Sequence, residues 1–101
     1  MTASRYLLTS AAEADIDGII QHLAERSEDA PLIVYAAFIE AFELLGEHPR
    51  IGHTRKDLTE RPLRFWSIHS YFIVYNDATA PLQIVAVVHG ARDVRSLMKE
   101  R

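Results

Sequence analysis

The stretch from Pro31 to Gly46 constrains the fold most, because it has the length of a helix and is apolar on two sides. Tyr35, Phe38, Phe42 and Leu45 recur at three- and four-residue steps and form one stripe, while Val34, Ala37, Ala41 and Leu44 form a second. A helix resting on one sheet needs a single stripe. The second face is therefore either consumed by another helix and the sheet of the same chain, or left for a partner. Pro31 suits the first turn, where a missing N–H does no harm, and His48-Pro49 ends the helix.

A helix upstream supplies the internal neighbour. Ala12, Ile16, Ile19, Ile20 and Leu23 share one face, with Glu13, Asp17, Gln21 and Glu25 outward, over roughly residues 10–27. Ser10 with Glu13 reads as a capping box, and Asp15 and Asp17 place negative charge near the helix N-terminus. The short link Ser27-Glu28-Asp29-Ala30 makes the two helices an antiparallel hairpin.

The remaining elements read as strands. Arg5 to Thr9 is a short β-prone run, and Leu63 to Ile68, Tyr71 to Tyr75 and Leu82 to His89 are rich in β-branched and aromatic residues. The last run is apolar on both pleat faces, Ile84, Ala86 and Val88 on one and Val85 and Val87 on the other, which suits an interior strand. Residues 49–62 lack periodicity and read as a basic loop. The tail from Arg92 to Arg101 either frays or forms a short helix. The expected architecture is α+β in the order β-α-α-β-β-β, a helical hairpin packed on a mostly antiparallel four-stranded sheet, as one domain over residues 1–101.

Composition narrows the chemistry. With no cysteine there is no disulfide framework, thiolate nucleophile or cysteine-based zinc site, and the five histidines lack metal-ligand spacing, so neither a metal nor another cofactor is expected. The N-terminus lacks a secretory pattern and no run approaches the roughly 20 apolar residues of a membrane span, so a cytoplasmic protein without membrane contact is expected. Net charge is −3, but residues 1–49 carry two arginines against nine acids, giving −7, and residues 50–101 carry nine cations against five acids, giving +4. The basic half suits phosphates or an acidic protein segment, or is simply a solvated surface. Tyr71, Tyr75, Phe65 and Trp66 read either as a base-stacking platform or as core, and no RNP-type motif accompanies them.

Several phrases occur in a telling order: Tyr6-Leu7-Leu8-Thr9 followed by Ala12, Ala14 and Asp15-Ile16; the helix ending with Pro49, Gly52 and Arg55; Leu63-Arg64; Tyr71-Phe72-Ile73-Val74-Tyr75; and Val87-Val88-His89 with Arg92-Asp93. Across nearly the whole chain this order is similar to the RelE/ParE toxin superfamily. The long hairpin and the ending His89-Gly90-Ala91-Arg92-Asp93 resemble its ParE branch more than its RelE branch.

The resemblance implies the toxin of a type II toxin–antitoxin pair, bound by an antitoxin whose disordered segment folds onto it as a helix or an added strand. A ParE-like member is expected to inhibit DNA gyrase and so arrest growth. For that target the candidate residues are Arg64, Arg92 and Arg95, and for the antitoxin Tyr35, Phe38, Ile39 and Phe42. A RelE-like member would instead be a metal-independent nuclease cutting messenger RNA on the ribosome, with Arg64 and Arg92 over phosphate and His89 moving a proton. The RelE-like set usually adds a lysine-rich helix and a tyrosine or histidine in the tail. Val94-Arg95-Ser96-Leu97-Met98 holds neither, and His89 reads equally as a loop-capping residue. A non-toxic interaction module of the same fold is the remaining reading.

Overall fold

A computed structural model describes residues 5–101. Strand β1 (Tyr6–Leu8) leads into helix α1 (Ser10–Ala24), then helix α2 (Ala30–Glu47) and a two-residue strand β2 (His53–Thr54). Strands β3 (Arg64–Ile68), β4 (Tyr71–Asn76) and β5 (Leu82–His89) follow, and helix α3 (Val94–Lys99) closes the described chain. The sheet order is β1-β5-β4-β3-β2, with β1 parallel to β5 and every other pair antiparallel. The α+β class and the hairpin over a mostly antiparallel sheet are thus observed. A fifth strand is added where the basic loop pairs His53 with Phe65 and Thr54 with Arg64.

Local chemistry moves two helix boundaries. The cap of α1 is Thr9 and not Ser10: Thr9 still donates its N–H to Ile84 as the last residue of the sheet, and its hydroxyl accepts from Ala12 N at 3.1 Å. The capping box expected from Ser10 and Glu13 therefore does not form. Helix α1 ends at Ala24, three residues early, because Arg26 and Ser27 turn back onto the Leu23 carbonyl. Ser27 then accepts from Asp29 N and Ala30 N, turning the chain into α2.

The sheet is covered on both faces. On one side the hairpin packs Ala12, Ile16, Phe38, Ala41, Phe42 and Leu45 against Ile73, Tyr75, Leu82, Ile84 and Val87. On the other, Val94 and Met98 of α3 pack with Leu63, Phe65, Val74, Ala86 and Val88. Strand β5 serves both because of a one-residue register shift: Val74 pairs with Ala86 but Tyr75 pairs with Ile84, leaving Val85 without a partner on β4. The shift overturns the simple alternation expected for β5. Ile84 shares the hairpin face with Val87, while Ala86 and Val88 face α3.

Candidate functional site

Charge and polarity converge on the α3 side of the molecule. A bidentate ion pair holds that side together. Arg101 meets Asp15 of α1 at 2.6 and 2.9 Å and also donates to the Val85 carbonyl at 3.0 Å. Asp15 accepts in addition from Val87 N at 3.0 Å, so the backbone disturbed by the register shift is satisfied from both flanks. The carboxylate pushes the ionisation of the Arg101 guanidinium further up. The helix itself is capped by Asp93, which accepts from Ser96 N at 3.2 Å and from the Ser96 hydroxyl at 2.7 Å. Those two donors hold the Asp93 carboxyl below its ordinary range.

Two clefts flank α3. One, about 440 Å³, lies between α3 and the 56–61 loop and is lined by Lys56, Leu58, Arg61, Arg95, Met98 and Lys99 among others. Arg61 reaches across it to the carbonyls of Met98 and Arg101. The other, about 510 Å³, is lined by Asp15, Gly18 and His22 of α1, by Tyr71 and His89 of the sheet, and by Arg92 and Arg101. His89 Nδ1 accepts from Ala91 N at 3.0 Å, which caps the turn into α3 and places the ring proton on Nε2. Its ring stands edge-on to Tyr71 at 5.2 Å.

The expected site residues come together only in part. Arg92 and His89 line the same cleft, and Arg95 lines the cleft on the other side of α3. Arg64 is elsewhere. It pairs with Tyr75 on β4 whereas His89 pairs with Tyr71, four residues along, a separation of about 13 Å at the rise of a strand. Its guanidinium is already committed to Asp77 at 3.0 Å and to the Gly52 carbonyl at 2.8 Å, tying the loop to the end of β4. Nearby, Gly52 N donates to the buried Tyr75 hydroxyl at 2.9 Å, and burial raises the Tyr75 phenol above its ordinary value. Among the described residues no three or more histidine or carboxylate side chains are grouped to hold a metal ion. No helix among them is long and apolar enough to cross a membrane.

The residues expected to meet an antitoxin also divide. Phe38 and Phe42 are fully buried, stacked 6.3 Å apart with Phe38 edge-on to Tyr71 and Phe42 beside Tyr6. The hairpin and the sheet bury that stripe. Ile39 is half-buried, packed on the core, and Tyr35 is 47% exposed. The accessible apolar surface lies further toward the start of α2, where Leu32 is 74% and Ile33 59% exposed. Leu32, Tyr35, Ala36 and Ile39 line up at helical spacing. Leu7, on the outer strand β1, is 51% exposed as well. Leu32 and Ile33 escaped notice because they fall outside both counted stripes, and Asp15 and Arg101 because only the fold makes them neighbours.

A family model for the ParE toxin of the type II toxin–antitoxin system, parDE, matches residues 6–94. No curated protein matches the chain.

Proposed function

The chain belongs to the ParE toxin family of type II toxin–antitoxin systems, with a cognate antitoxin as partner, and from that premise we propose that it arrests growth by binding DNA gyrase once the antitoxin releases it. The observation that carries a binding role over a catalytic one is the placement of Arg64. The nuclease reading needs Arg64, His89 and Arg92 around one phosphate, and Arg64 stands about 13 Å along the sheet with its donors engaged. Surfaces are left to act where a reaction centre is not assembled.

Two surfaces have distinct roles in this reading. The antitoxin covers the exposed apolar stripe of Leu32, Tyr35 and Ile39 together with the open edge of β1, where a folding segment gains both apolar contact and main-chain pairing. The target meets the α3 side through Arg92 and Arg95, which make no ion pair among the described residues. Arg64 acts there only indirectly, by holding the 50–52 loop.

A supercoiling assay with the purified chain tests the reading. Gyrase should lose supercoiling activity and accumulate cleaved DNA, and added antitoxin should restore activity. Cutting of messenger RNA in a purified translation system, with gyrase untouched, would transfer the chain to the nuclease reading.

A further inference from the structure

We propose that the cleft between the 56–61 loop and α3 binds a short acidic peptide segment of a partner protein, one with apolar residues between its carboxylates. The inference goes beyond the toxin reading, since it holds whichever enzyme is the target.

Three features of the cleft carry it. The first is an excess of cations: Lys56, Arg61, Arg95, Lys99 and Arg101 line the cleft against Glu60, and Lys56, Arg95 and Lys99 make no ion pair or side-chain hydrogen bond among the described residues. Asp57, in the same loop, is bound by Arg55 at 2.8 Å. The second is an apolar floor of Leu58 and Met98, which offers aliphatic side chains a contact that a sugar–phosphate backbone cannot use. The third is rigidity. Arg61 spans the cleft to the carbonyls of Met98 and Arg101, and Arg101 is itself fixed by Asp15, so the two walls are held apart before anything binds.

Charge distribution selects a peptide over nucleic acid. Residues 1–49 carry −7, and a long polyanion seated in the cleft would bring its outlying phosphates into that field. A short segment ends before it gets there. Carboxylates at alternate positions reach the cations of both walls, while the side chains between them settle on Leu58 and Met98.

The test uses the full chain and a fluorescein-labelled synthetic peptide alternating glutamate with leucine, read by anisotropy. The glutamate peptide should bind saturably and more weakly as ionic strength rises, and its glutamine counterpart should not bind. Arg95→Glu with Lys99→Glu should weaken binding about ten-fold or more, and Lys56→Glu on the opposite wall should weaken it independently, with circular dichroism unchanged in all. Affinity unaltered in these variants would overturn the proposal. So would tighter binding of a single-stranded oligonucleotide of equal charge, or equal binding of the glutamine peptide. The supercoiling assay on the unaltered chain reads the toxin proposal separately, so either can fail alone.

Discussion

Asp15 and Arg101, 86 positions apart, face each other as a two-pronged ion pair at 2.6 and 2.9 Å, their side chains only 16% and 22% exposed. The pair joins α1 to the second residue past α3 and shields the disturbed part of β5. Asp15→Ala removes the partner of a largely buried charge and strips Val87 N of its acceptor, so it should cost on the order of 2 kcal/mol. Asp15→Asn, which keeps an acceptor for Val87 N, should cost less. Urea unfolding midpoints of the two variants measure the difference, and equal midpoints would mean that the acceptor for Val87 N contributes nothing.

The Gly52 and Tyr75 contact should be intolerant in both directions. Tyr75→Phe leaves the Gly52 N–H without its acceptor in a buried place, a loss of about 1–3 kcal/mol. Gly52→Ala should be worse, because a Cβ there would stand 2.6 Å from the Tyr75 hydroxyl and 2.9 Å from the Phe65 carbonyl oxygen. Thermal unfolding should rank the alanine variant below the phenylalanine variant, and the reverse order would mean the loop relaxes freely.

On α2 the core and the accessible surface separate by substitution. Phe38→Ala should destabilise the fold by about 3–5 kcal/mol, whereas Leu32→Ala and Tyr35→Ala should stay within about 0.5 kcal/mol of the parent. If the proposed antitoxin surface is right, the latter two weaken antitoxin binding by about 1 kcal/mol or more each in titration calorimetry. Undiminished binding by the Leu32 and Tyr35 variants would move the antitoxin elsewhere.

Strong acid should loosen the N-terminal cap of α3. The Asp93 carboxyl is held below its ordinary range by the Ser96 hydroxyl and N–H, so its capping contribution is complete above the usual carboxylate range. That contribution fades as pH falls through the lowered folded value. The Ser96 amide resonance should therefore titrate at a pH below that of an unfolded aspartate, and Asp93→Ala should abolish the transition.

Charge reversal should separate the proposed target face from the proposed antitoxin face. Arg92→Glu should abolish growth arrest while antitoxin affinity stays within about two-fold, because Arg92 lies beside α3 and the proposed antitoxin surface lies on α2 and β1. Toxicity that survives the reversal would remove Arg92 from the target contact.

Periodicity made the helical hairpin and the succession of helices and strands along the chain legible, because each depends on neighbours a few residues away. The open question of the tail resolves into a helix because Asp93 and Ser96 cap it and Val94 and Met98 find apolar floor beneath the sheet. The candidate site was less legible. Nothing near Arg64 in sequence signals that Asp77 and Gly52 will occupy it, and Phe38 looked available because the Tyr71 ring that packs on it comes from β4. The basic loop was visible in the sequence, but the cleft beside α3 and its apolar floor needed Leu58 and Met98 to be folded together.

The unmatched residue at Val85 turns the last strand over halfway along its length. Side chains before it answer to the hairpin and most of those after it to the tail, so one peptide unit keeps the two coverings of the sheet in phase. Swapping one aliphatic for another in β5 is a local matter, but removing a position that is paired with β4 would exchange the inventories of the two layers from that point onward. The strand is forgiving of composition and strict about count.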